Sequence, residues 1–246
     1  MSVESVRGVV AIVSGASGGF GREICLLLAR EGARVVAAAL PQESEALISL
    51  VSEIRSSGGE SAWRTLDVCD PEQCSALVEG TVQEMGSLQL LVNCAGLGHW
   101  VPVEKTTNAQ WRQTMEVNVN GTFYLCRAAI DPMRKAGGGH IVNIASVLGR
   151  RGAPNFAAYC ASKAAVMAFS ESLSREVKDD RIQVSVVSPG TADTGFRKGH
   201  AGRPQTADLT DPERMLRPAD VAEAVVWAIK ASRHVASVQV VLEPLG

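Results

Sequence analysis

Val9-Val10-Ala11-Ile12-Val13-Ser14-Gly15-Ala16-Ser17-Gly18-Gly19-Phe20-Gly21 is the stretch that decides the fold. Val9 to Val13 is a short apolar run of β-formers. Glycines crowd the residues that follow, and then Ile24, Cys25, Leu27, Leu28 and Ala29 recur at helical spacing. The pattern reads as strand, tight glycine turn, helix. Glycine permits positive φ and leaves no Cβ to obstruct a pyrophosphate. The helix that follows offers free N–H groups and a partial positive charge at its N-terminus. The turn is therefore a candidate dinucleotide-binding loop, weighed against a plain strand–helix connection.

The same alternation continues along the 246 residues. Strands are expected over 9–14, 33–39, 61–66, 89–93, 140–145, 182–188 and 238–243. Helices are expected over 19–30, 43–56, 71–85, 108–136 (as a broken helix), 157–178 and 218–231. Strands alternating with helices predict a parallel sheet covered on both faces, with right-handed crossovers. The expected strand order is 3-2-1-4-5-6, with a seventh strand at the edge. Asp70-Pro71 supplies a cap and a first-turn proline, Gly32 a helix stop, and Gly137-Gly138-Gly139 a break before the fifth strand. Nothing reads as a linker or repeat, so residues 1–246 form one domain. Its least regular stretch, 191–217, follows the sixth strand and is expected to act as a substrate lid.

A second constellation carries the chemistry. Tyr159-Cys160-Ala161-Ser162-Lys163 places a phenol and an ammonium four residues apart, on one helix face, with Ser146 thirteen residues upstream. A nearby cation favours phenolate over phenol and lowers a tyrosine pKa. Such a tyrosine can exchange a proton with an alcohol or carbonyl oxygen. Taken singly, Ser146 is also a plausible helix cap and Tyr159 a core residue.

Gly15-x-x-x-Gly19-x-Gly21, Ser146, Tyr159 and Lys163 together resemble the short-chain dehydrogenase/reductase (SDR) family over nearly the whole chain. Ser14 stands where that family has threonine, and Phe20 where isoleucine is usual. Asn93-Cys94-Ala95-Gly96 resembles its Asn-Asn-Ala-Gly turn, with Cys94 for the second asparagine. The resemblance implies an α/β fold: a single doubly wound Rossmann-type domain around a parallel seven-stranded sheet. It implies an NAD(P)-dependent oxidoreductase moving hydride between nicotinamide and a carbonyl or secondary alcohol, with 3-oxoacyl or small ketone and alcohol substrates among the options. The implied catalytic residues are Asn118, Ser146, Tyr159 and Lys163, with Asn120 a rival to Asn118. Implied cofactor contacts are Gly15, Ser17, Gly19, Phe20 and Gly21 at the phosphates, and Asp67 and Val68 at adenine. Asn93, Ala95 and Gly96 follow, then Tyr159 and Lys163, and Pro189, Gly190 and Thr194 at the carboxamide. A homo-oligomer, dimer or tetramer, packed through long helices that include 164–169 is also implied.

Cofactor choice should be made at the end of the second strand. An acidic residue there binds the ribose 2′-OH, and an arginine binds a 2′-phosphate. Ala39 and Leu40 stand at those places, so neither code is present. The missing carboxylate tilts the expectation toward NADP(H) over NAD(H). Candidate substrate-pocket residues are His99, Trp100, Leu148, Arg150, Arg151, Phe156, Phe196 and Arg197. The net charge of −2 and the absence of a basic stripe argue against nucleic acid. Apolar runs fall short of the roughly 20 residues that span a bilayer. The six cysteines form no Cys-x-x-Cys pair and stand at no metal-ligand spacing with histidine. No metal is expected, and the N-terminal residues do not read as a signal, so a reduced cytoplasmic setting is expected.

Overall fold

The computed structural model describes residues 6–197, 211, 214–232 and 234–245. Its strands are β1 (Val10–Ser14), β2 (Arg34–Ala39), β3 (Ser61–Thr65), β4 (Leu90–Asn93), β5 (Gly139–Ile144), β6 (Ile182–Pro189) and β7 (Gln239–Leu242). Its helices are α1 (Gly19–Arg30), α2 (Ser44–Ser56), α3 (Pro71–Met85), α4 (Asn108–Met115), α5 (Gly121–Lys135), α6 (Ala157–Val177) and α7 (Pro218–Ile229). All seven strands pair in parallel in the order β3-β2-β1-β4-β5-β6-β7, as the alternation predicts. Most expected boundaries shift by a residue or two. The expected helix over 108–136 is α4 and α5 joined by a wide π turn, Glu116–Asn120.

The central strands are buried on both faces, which is why they read as unbroken apolar runs. Ala11 and Val13 pack with Ile24, Leu28, Leu47 and Val225 on one face. Ile12, between them, packs with Leu77, Leu125 and Leu173 on the other. Caps fix where the helices begin. Asp70 accepts from the backbone N–H groups of Glu72 and Gln73, and Thr107 and Gln110 form a reciprocal capping box. Gly86 ends α3 at φ 82°, a conformation in which a Cβ would be strained.

The segment after β6 is drawn closed at its base. Ala192 bridges Leu216 in parallel, the Leu216 N–H donates to the Thr191 carbonyl at 2.9 Å, and the Asp193 N–H donates to Leu216 at 2.9 Å. Residues 198–210, 212 and 213 of the expected lid lie outside the described residues. Among the described residues, no helix is long and apolar enough to cross a membrane, and no group of three metal-ligating side chains exists.

His140, on β5, is 2% exposed, with Nε2 2.9 Å from the Ser185 hydroxyl. Burial pushes its pKa from 6.5 down to about 4. The unfolded chain binds this proton below 6.5, whereas the folded chain refuses it until about 4. Stability should therefore fall as pH drops through that window, by up to about 1.4 kcal/mol per pH unit. Urea unfolding across pH 4 to 7 should show this slope, and His140→Gln should flatten it.

Candidate active site

Every strand delivers its carboxyl end to one cleft of about 850 Å³. Gly15 follows β1 into its wall, Ala39 closes β2, and Leu66 follows β3. Cys94 follows β4, Ser146 lies just beyond β5, Gly190 follows β6 and Glu243 follows β7. This is where open parallel sheets bind ligands.

The glycine turn forms one end. Gly15 has φ 66°, and a Cβ there would stand 2.8 Å from the Ala95 backbone. Gly19 has φ 52°. At Gly21 a Cβ would lie 2.1 Å from the Gly15 carbonyl oxygen, so α1 can seat on the turn only through glycine. The Ser14 hydroxyl accepts from the N–H groups of Cys94 and Ala95 at 3.2 and 3.3 Å. That bond pins β1's turn to β4's turn and accounts for a hydroxyl at position 14. No side chain caps α1, and its first turn holds no acid. Its free N–H groups are thus available to an anion, and the bare glycine cradle has room for a dinucleotide's phosphates.

The middle of the cleft holds the titratable cluster. Tyr159 and Lys163 lie on one face of α6, both buried, and both line the cleft with Ser146. Lys163 Nζ donates to the Ile144 carbonyl at 2.8 Å and stands 5.7 Å from the Tyr159 ring centre. Burial pulls the Lys163 pKa down to about 8, and the neighbouring Cys94 opposes that weakly. Ser146 donates to the Pro189 carbonyl at 3.4 Å and accepts from the Leu148 N–H at 3.2 Å. It is thus a turn cap as well as a cleft hydroxyl.

Asn118 stands just behind this cluster, in the π turn. Its Oδ1 accepts from the Leu97 N–H at 2.9 Å, and its Nδ2 donates to the Leu97 carbonyl at 2.8 Å and to Ser162 at 2.9 Å. A Cβ on Gly96 would meet Asn118 Oδ1 at 3.2 Å and Lys163 Nζ at 3.4 Å, so the glycine lies close against both. Asn120 donates instead to Glu116 at 2.6 Å. The wide turn therefore separates the two asparagines and directs Asn118 inward.

Most sequence-predicted site residues reach the cleft wall: Gly15, Ser17, Gly19, Phe20, Ala39, Leu40, Asp67, Val68, Ala95, Gly96, Pro189, Gly190 and Thr194 join Ser146, Tyr159 and Lys163. Three do not. Asn118 and Gly21 act from behind, as described. Asn93 points its side chain into the core, where Nδ2 donates to Asn143 Oδ1 at 2.8 Å; strand alternation turns Cys94, rather than Asn93, toward the cleft. Of the substrate-pocket candidates, Trp100, Leu148, Arg151, Phe156 and Phe196 line the cleft. His99 pairs with Gln113 at 3.0 Å and Arg150 with Gln239 at 2.8 Å, and neither of these two side chains, nor Arg197, is part of the wall. Sequence reasoning missed Glu43 and Glu243. An acid shortly after the second strand could have flagged Glu43. No local signal marks Glu243.

Fold and cleft together define a single doubly wound domain of the nucleotide-binding class. The short chain dehydrogenase family model matches residues 9–203, and the chain belongs to that family. It is 37% identical to the cyclopentanol dehydrogenase of a Comamonas species over 228 residues, 91% of this chain and 90% of that one. It is 33% identical over 247 residues to glycine betaine reductase ATRR of Emericella nidulans; the match takes in 97% of this chain but spans only 19% of that protein. An alcohol dehydrogenase from Thermococcus sibiricus, solved with 5-hydroxy-NADP, superposes with a TM-score of 0.85 at 26% identity, over 96% of this chain and 97% of that one. The protein is an NAD(P)-dependent dehydrogenase/reductase acting on CH–OH and C=O groups.

The glycine geometry makes a paired prediction. Gly18 is extended, and a Cβ there meets nothing within 4 Å, so Gly18→Ala should melt within a degree or two of wild type, about 0.5 kcal/mol or less. Gly21→Ala forces a backbone clash that should cost about 1–3 kcal/mol or more and weaken dinucleotide binding. Thermal melts with and without cofactor check both.

Proposed function

We propose that Tyr159 moves the proton and that Ser146, Lys163 and Asn118 support it. The observation that carries this reading is the shared face of α6: Tyr159 and Lys163 look into a cleft whose far end is the uncapped N-terminus of α1. A dinucleotide held in this cleft would supply or accept the hydride. Residues 15–20 would hold its phosphates, Asp67 and Val68 its adenine, Lys163 a ribose hydroxyl, and Pro189, Gly190 and Thr194 its carboxamide. The Asn93 and Gly21 side positions do not touch the cleft, so any role of theirs is through the backbone they shape.

The Tyr159 hydroxyl gives its proton to the carbonyl oxygen during reduction and takes it back during oxidation. Ser146 donates a hydrogen bond to the same oxygen as negative charge develops there. With a pKa near 8, Lys163 is largely cationic at neutral pH and favours the phenolate. Asn118 holds the turn at Leu97 and stands with Lys163 beside Gly96, where a proton relay through Lys163 would run. The single domain carries both cofactor and substrate sites, with 191–217 acting as the lid. Assembly into a dimer or tetramer through α5 and α6 fits the exposed Phe123, which packs on Phe169 and under Arg127.

The expectation of NADP(H) rested on the missing carboxylate at Ala39, and the wall charges now weigh against it. A short turn bends Glu43 back over Leu40, its N–H donating to the Leu40 carbonyl at 2.9 Å, and Glu43 lines the cleft beside Gly18 and Ala39. Asp67 adds a second carboxylate. Among the described residues no cation lines that end: Arg22 is held by Glu53 and Glu23. The Thermococcus neighbour was solved with an NADP derivative, so a fold of this kind accepts that cofactor. These carboxylates favour a dinucleotide without a 2′-phosphate, NAD(H), and we propose it for this chain in place of NADP(H).

Tyr159→Phe should lower kcat by about 10²–10⁴ while leaving the dinucleotide Kd within about twofold. Unchanged turnover would refute the proton role. Fluorescence titration should show NADH binding at least about tenfold tighter than NADPH, a difference of about 1.4 kcal/mol. Glu43→Gln should narrow that gap.

A further inference from the structure

The substrate end of the cleft is aromatic. Phe156 stacks on Tyr159 with ring centres 4.4 Å apart and planes 19° apart. Trp100 lies 5.2 Å from Phe156, and Phe196 lies 5.6 Å from Tyr159. Leu97, Leu148 and Ala153 complete an apolar surface around the tyrosine. Among the described residues, two charged side chains line this end apart from Lys163, which is buried and bonded to Ile144: Arg151 and Glu243.

These two are paired. Arg151 Nη2 donates to Glu243 Oε1 at 2.7 Å. Backbone bonds hold both partners in place. The short turn after Ser146 (Val147–Gly149) sets Arg151, with the Arg150 N–H donating to the Val147 carbonyl at 3.0 Å. On the other side the Gly190 N–H donates to the Leu242 carbonyl at 2.7 Å, which brings Glu243 to the cleft from the end of β7. The Arg150–Gln239 bond ties the same two segments a second time.

We propose that the Arg151–Glu243 pair is a charge lock that selects uncharged, ring-bearing carbonyl compounds and secondary alcohols over anionic ones. The inference rests on the reading of this cleft as the carbonyl site. Without Glu243, Arg151 would offer a guanidinium to any substrate carboxylate. With Glu243 in place, such a carboxylate must compete with a partner already bonded to the guanidinium and meet its negative charge at close range. A neutral ring meets the aromatic and aliphatic faces described above and gains their contact. Glu243 is thus a specificity-determining residue, and it acts through Arg151.

Calorimetric titration of the enzyme saturated with oxidised dinucleotide tests this, because a ketone cannot be reduced in that complex. The probes are acetophenone and 4-acetylbenzoate, which share ring and ketone and differ by one carboxylate. Wild type should bind acetophenone about tenfold or more tightly than the anion. Glu243→Gln should shrink that ratio by about threefold or more, a modest factor because both side chains are half-exposed. Arg151→Gln together with Glu243→Gln should restore it. Equal binding of the two probes by wild type, a ratio unmoved by Glu243→Gln, or no binding of acetophenone would each overturn the proposal. Turnover is read separately: correct binding ratios without acetophenone reduction by reduced dinucleotide would sustain the lock and count against the proton-transfer reading.

Discussion

A methyl group at position 21 would stand 2.1 Å from the Gly15 carbonyl oxygen, and most of the site depends on that space being empty. The absent side chain lets α1 start directly on the turn leaving β1. Gly15 in turn touches the Ala95 backbone, and Ser14 bonds the N–H groups of Cys94 and Ala95. The turns after β1 and β4 are thereby one unit. Gly96, next in that unit, stands against Asn118 and Lys163, so the phosphate end and the chemical end share a single rigid wall. A dinucleotide bridging the two ends meets groups already positioned, which reduces the ordering cost of binding.

Burial has opposite uses in the two buried basic groups. On β5 it keeps His140 neutral, in a place remote from the cleft where a charge has no use. On α6 it lowers the Lys163 pKa only to about 8, and the Ile144 carbonyl accepts a hydrogen bond from Nζ. The ammonium therefore persists at neutral pH close to the Tyr159 ring. Both follow from one cost, the desolvation of a cation, and differ because Lys163 starts from a higher pKa.

Local patterns carried much of this in the sequence. The glycine spacing, the four-residue Tyr–Lys interval and the strand–helix alternation each encode geometry over a few residues, and the sheet order and cleft follow from them. What escaped is long-range or depends on which way a side chain points. Arg151 and Glu243 are 92 residues apart and meet only because β7 pairs with β6. Glu43 reaches the wall only because a short turn folds it back over Leu40. Asn93 and Cys94 exchange places relative to expectation because strand alternation sends the first inward. The break between α4 and α5 was legible as irregularity, but the π turn that aims Asn118 at Leu97 was not.

The most direct test of the central claim is the fate of the hydride. The enzyme is given dinucleotide carrying deuterium at both hydrogen positions of the reduced nicotinamide carbon, with acetophenone as acceptor, and the alcohol formed is weighed by mass spectrometry. The account predicts an alcohol one mass unit heavier, with deuterium on the carbinol carbon and a slower rate than with the protiated dinucleotide. Alcohol formed without deuterium, or dinucleotide bound in the cleft and never oxidised by any neutral ketone, would contradict it.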